Sequence, residues 1–122
     1  MNDHIFLKQF SHIEGLIVLA LVDYYDGSVL GSIGDDDLNI DIFALEGAAI
    51  FKHQKKLIKQ LNKTDYVEGI LISMKNQYHI IHPLESNHSL FLYVILDRNH
   101  SNLAYAHHEI QRLERHLNFY AY

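Results

Sequence analysis

The chain lacks cysteine altogether, has a single proline, and contains no apolar run longer than seven residues. Without cysteine there can be no disulfide framework, thiol nucleophile or thiolate metal site. The longest apolar runs fall far short of the ~20 residues that span a bilayer. The opening Met1-Asn2-Asp3-His4-Ile5-Phe6 has neither the basic region nor the long apolar region of a signal peptide, so a cytoplasmic location is expected. With only Pro83 and no Gly/Ser-rich stretch or internal repeat, nothing marks a boundary, and residues 1–122 are expected to form one domain. Basic residues are also scarce: 10 Lys and Arg against 15 Asp and Glu give a net charge of -5. That balance argues against nucleic acid, whose phosphates call for clustered cations.

What is present is a chain 48% hydrophobic and 20% charged, enough to bury a core without a covalent or metal staple. Ile5, Phe6, Gln9, Phe10 and Ile13 are spaced as on a short amphipathic helix over 3–13, closed by Gly15. Leu16 to Val22 reads as a strand covered on both faces. Asp26-Gly27 signals a hairpin turn into a return strand through Val29, Leu30 and Ile33. Asp35-Asp36-Asp37 is expected to cap a long helix from Leu38 to Asn62.

That helix carries two apolar stripes. Leu38, Ile42, Leu45 and Ala49 form one, and Phe43, Ile50, Leu57 and Leu61 form a second about 120° away. One sheet surface does not cover so broad an arc, so the helix is expected to meet the sheet and also a second helix. Beyond it, Val67 to Met74 and Tyr78 to His82 read as a hairpin about Lys75-Asn76, and Leu90 to Leu96 as a further strand. Ser101 or Asn99 is expected to cap a last helix with a one-sided stripe through Leu103, Ala106, Ile110, Leu113, Leu117 and Tyr120. The element order predicts an α+β sandwich rather than a doubly wound nucleotide fold.

The search for chemistry returns little. Gly27, Gly31 and Gly34 lack the lysine and the register of a phosphate loop. Asp35 to Glu46 places oxygens as in a calcium loop, but Ile40 occupies the position that needs glycine. The 10 histidines show no i, i+4 helical pair, and His79 and His82 point to opposite faces of a strand, so no metal or cofactor is expected. No nucleophile elbow is present, and Asp23 and Asp26 are expected to serve the backbone of their turn. The chain therefore does not read as an enzyme.

Charge placement says more. Met1 to Ala49 holds nine acids and one base, whereas Ile50 to Lys63 holds five lysines and no acid. This suits the dipole of the long helix, and it also suits antiparallel pairing with a second copy, Asp41 and Glu46 facing Lys52, Lys56 or Lys59. Homodimerisation through this helix is the expectation.

The segments Ile13 to Gly27, the long helix with Ala48-Ala49, Val67 to Ile72, and Leu90 to Asp97 followed by Asn102-Leu103-Ala104 together resemble the roadblock/dynein light-chain family, in its bacterial single-domain form, over about residues 10–117. The resemblance implies a five-stranded antiparallel sheet with the long helix on one face and the terminal helices on the other. It further implies a non-enzymatic platform whose long helices pair between two copies and whose edge strands align into one continuous sheet. By position that edge strand is Val67 to Met74, so the expected interface comprises Leu38, Ile42, Leu45, Ala49, Ile50, Lys52 and Lys56 with Val67, Gly69 and Leu71. Members of the family bind Ras-like small GTPases, assemble signalling or motility complexes, or link cargo to motors, and some bacterial ones stimulate hydrolysis by a partner GTPase. A second reading is a small-ligand sensor of the profilin-like sandwich type, which asks for a closed apolar cavity.

Overall fold

The computed structural model describes residues 6–117, so Ile5 and Tyr120 of the expected helical stripes lie outside the described residues. Five antiparallel strands form one sheet in the order β2-β1-β5-β4-β3. They are β1 (Leu16–Asp23), β2 (Val29–Gly34), β3 (Ile70–Ser73), β4 (Gln77–Pro83) and β5 (Leu90–Asp97). A long helix, α1 (Ile40–Leu61), covers one face. The other face is covered by α2 (Leu103–Leu117) and by a short helical segment that ends in a 3₁₀ turn, Lys8–Phe10. The expected α+β sandwich is observed.

The unbroken apolar runs of β1 and β5 follow from their central position, since alternate side chains feed two different cores. Val18, Ala20 and Val22 of β1 join Phe91, Tyr93 and Ile95 of β5 under α1. Leu19 and Leu21 join Leu92, Val94 and Leu96 on the other side, where Ile110 and Leu113 of α2 close over them.

Several local expectations shift. The first segment buries Leu7 together with the expected Phe10 and Ile13, while Phe6 is only partly buried against the same core and Gln9 is exposed, because tightening to three residues per turn brings every third residue to one face. Helix α1 begins at Ile40, later than expected, and Leu38 precedes it and packs on the core beneath. The acids before it do not cap it: Asn39 is the cap residue without a side-chain bond, and Asp35 accepts the N–H of Asp37 at 2.9 Å to make a local turn. The cap of α2 is Asn102, which accepts the Tyr105 N–H at 3.0 Å. Ser101 donates to the Asp97 carbonyl, and Asn99 sits in the 3₁₀ turn Arg98–His100. Strand β3 is shorter than expected: Val67 and Gly69 precede it as irregular chain, and only Leu71 of the expected edge residues lies within it.

Candidate functional site

Helix α1 meets the sheet through small residues. Ala44, Gly47, Ala48 and Phe51 are its buried positions. A Cβ on Gly47 would stand 2.8 Å from the ring of Tyr93, so the absence of a side chain there sets how closely helix and sheet approach. Two larger rings lock the contact. Phe51 packs edge-on against Phe91 at 5.8 Å between centroids and against Tyr24 at 5.0 Å.

Because the small face is spent on the sheet, the larger apolar side chains of α1 point elsewhere. Ile42 is 57% exposed, Leu45 55%, Leu57 41% and Ile50 37%, and Ala49 is exposed among them. The helix thus has two distinct flanks. Phe43 leans toward β4 and β5, 5.5 Å from the ring of His79 and 6.3 Å from that of Tyr93. With Phe43 marking that side, the helical repeat places Ile50, Leu57 and Leu61 on the same flank.

The opposite flank lies against the β1–β2 turn. Gly27 holds φ +74 there, and a Cβ on it would meet the backbone of Leu45 at 3.0 Å. Asp23 accepts the Tyr25 N–H at 2.8 Å and Asp26 the Ser28 N–H at 2.9 Å, the backbone role expected of them. The Ser28 N–H is the main reason the Asp26 carboxyl sits below its ordinary range. Lys52 donates to the Tyr25 carbonyl at 2.5 Å, and Lys55 lies 4.4 Å over the ring of Tyr24. Lys52, expected to face a second copy, therefore already has an acceptor in its own chain, whereas Lys56 is exposed.

Strand β3 lies at the edge of the sheet beyond β4. Ile70 and Val67 pack against the α1-side core. Leu71 points the other way, 49% exposed, into an open groove of about 680 Å³ bounded by Ile80 and by Leu103, Ala104 and His107 of α2. Gly69 lines the mouth of that groove. The expected residues therefore fall on three surfaces: Ile42, Ala49 and Ile50 on the outer helix face, Leu45 and Lys52 over the β1–β2 turn, and Gly69 and Leu71 along β3.

Buried polar groups close both layers, and the sequence reading missed how they pair. Under α1, His79 Nδ1 lies 2.6 Å from the Tyr93 hydroxyl and Nε2 lies 3.0 Å from Gln77 Oε1. Burial lowers the pKa of His79 and pushes that of Tyr93 up to about 12, so both rings are neutral at physiological pH. On the α2 side, His82 lies 3.0 Å from Glu114, whose second oxygen accepts the Glu85 N–H. Glu109 takes two N–H groups from Arg112, both at 2.9 Å, and lies 2.5 Å from His12. The Arg112 guanidinium, then His12, hold the Glu109 carboxyl down at about 2. Among the described residues no three histidine or acidic groups converge as a metal cluster, and no helix is long and apolar enough to cross a membrane.

No protein-family model matches the chain, and no curated protein sequence matches it. Solved structures do. A Roadblock/LC7 domain from Streptomyces avermitilis superposes with a TM-score of 0.80 at 14% identity, over 93% of this chain and 91% of that one. The gliding protein MglB from Thermus thermophilus gives 0.80 at 16% identity, over 96% and 86%. An MglB in a tetrameric arrangement gives 0.81 at 16% identity, over 96% and 85%.

Proposed function

We propose, from a chain that has the Roadblock/LC7 fold, that this protein is a cytoplasmic, non-catalytic platform of the roadblock class that works as a homodimer of single-domain chains and engages a Ras-like small GTPase or another signalling protein. The observation that carries this reading is the outer face of α1. Ile42, Ala49, Ile50 and Leu57 recur at seven-, one- and seven-residue steps, a continuous seam on a helix, and all four are left exposed by the described residues. A seam of this kind is self-complementary about a twofold axis near Ala49. Antiparallel pairing there sets Asp41 and Glu46 of one copy toward Lys56 of the other. The open edge of β3 lies on the side toward which Phe43 leans, so pairing of strands through Leu71, with Val67 and Gly69 beside it, is compatible with pairing of helices. The similar MglB in a tetrameric arrangement shows that this fold self-associates in at least one other protein.

Ile50→Glu tests the proposal. It places a charge in the centre of the seam without touching the core, so light scattering should show the dimer mass fall to the monomer mass while the circular dichroism spectrum stays native. A dimer mass that survives the substitution would refute helix pairing. The GTPase part is tested separately by capture from the source cell with wild type and I50E: a small GTPase retained by the first and lost by the second supports a dimeric platform.

A further inference from the structure

The flank of α1 over the β1–β2 turn carries an open groove of about 600 Å³, walled by Lys52, Lys55, Lys56 and Lys59 on the helix and by Tyr24 and Tyr25 on the turn. No carboxylate lines it, and among the described residues none of these lysines is within ion-pair distance of one. Asp23 and Asp26 of the adjoining turn give their oxygens to backbone N–H groups instead. A solvated helix relieves such charge by placing acids four residues from its lysines; here Lys52 and Lys56, and Lys55 and Lys59, form like-charge pairs at that spacing, each destabilising to the helix. The wall is also built in advance. Lys52 is fixed on the Tyr25 carbonyl and Lys55 on the Tyr24 ring, which leaves Lys56 and Lys59 exposed beside a Tyr25 ring that is 70% exposed.

We propose that this groove docks an acidic segment of a partner polypeptide, its carboxylates taken by Lys55 and Lys59 and an apolar side chain laid against Tyr25. Charge complementarity selects the occupant. Fields at physiological salt fade over about 8 Å, so a short segment seated in the groove is governed mainly by the lysines that line it, although Lys52 also feels the neighbouring Asp26. An extended nucleic acid or anionic membrane also meets the acidic surface that gives the chain its net charge of -5. Ala49 and Lys56 on the rim of the groove border the seam, but Lys55, Lys59 and Tyr25 lie on the turn side of the helix, so the inference does not depend on two copies pairing.

The test is fluorescence anisotropy with a labelled octapeptide of glutamates around one central phenylalanine, read against the full-length protein. Saturable binding should weaken as salt rises from about 50 to 300 mM. The double substitution Lys55→Gln with Lys59→Gln should weaken it about tenfold, and Tyr25→Ala about threefold. The proposal is overturned if the peptide does not bind, if the double variant binds it equally while natively folded, or if a single-stranded oligonucleotide or phosphatidylserine vesicles bind as tightly. Light scattering of the same double variant should still give the wild-type mass, so failure of the groove and failure of helix pairing are read separately.

Discussion

On the α2 side of the sheet, away from the open groove at Leu71, the polar groups that leave the core meet partners within the chain. Ile110 and Leu113 are buried, His82 and Glu114 satisfy one another, and Glu109 is held by His12 and Arg112. On the α1 side the inner face is closed just as tightly, but the outer one is not: its apolar seam is exposed, and its lysines have no acid within ion-pair distance among the described residues. Two helices of one fold are thus finished to different degrees, and the unfinished one is where a second molecule has something to gain. Stability and assembly should accordingly separate by layer.

The strongest way to break that comparison is to truncate an equivalent side chain on each helix. Ile110→Ala removes fully buried methyl groups and should cost about 3 kcal/mol of unfolding free energy in urea, with the oligomeric mass unchanged. Ile50→Ala, on the seam, should cost under about 0.5 kcal/mol in the isolated monomer and weaken self-association instead. Equal losses of stability would mean that both helices are finished by their own chain.

Gly47→Ala is expected to come next. Alanine is the better helix former by about 1 kcal/mol. Its Cβ, however, would sit 2.8 Å from a Tyr93 ring that is held at its hydroxyl by His79, so the ring cannot simply swing away. A net loss of about 1–2 kcal/mol in a thermal or urea melt is expected. A gain would show that α1 sits on the sheet with slack.

That glycine also shows what the sequence does and does not reveal. The strands, their hairpins and the length of the long helix were legible because apolar periodicity and turn residues act locally: Asp26-Gly27 turns where expected, and His79 and His82 do face opposite layers. The sheet-facing side of α1 was less plain, because it is made of Ala44, Gly47 and Ala48, residues that carry little hydrophobic signal. Their spacing of three and four was the available clue to close packing. The partners of His12 and Glu109, 97 residues apart, had no local signal at all. The capping of α1 was misread because Asp35 satisfies the nearby Asp37 N–H before the helix begins. The groove over Tyr24 and Tyr25 was half visible, as a lysine block without its aromatic wall.

A pH titration sharpens the comparison further, since each layer carries its own proton-sensitive pair. Under α1 the folded pKa of His79 is depressed, so below about 6.5 the unfolded chain takes up the proton first. His79 therefore contributes stability above that pH, and the contribution is lost as pH falls through the folded value. Thermal melts stepped down from about pH 7.5 to 5.5 should show a falling Tm, and His79→Gln should flatten the slope. A slope that persists in the variant would place the titrating group elsewhere.

The smallest effect is expected on the α2 side, where a buried carboxylate is clamped by two partly exposed partners. Arg112 and His12 depress Glu109 from its ordinary 4.5 to about 2, so its stabilising share is present above the unfolded value and drains away only as pH falls from there toward the folded one. Arg112→Ala removes the larger of the two causes. The folded pKa of Glu109 should then rise toward the unfolded one, so stability at neutral pH should fall modestly, discounted because the Arg112 side chain is half-exposed, and the difference from wild type should shrink as pH falls toward the folded value. The His79 slope near neutrality should remain untouched, because that ring lies on the other face of the sheet. Movement of both limbs by the one substitution would mean that the two layers are coupled through the sheet, and the separation of a finished layer from an unfinished one would fail with it.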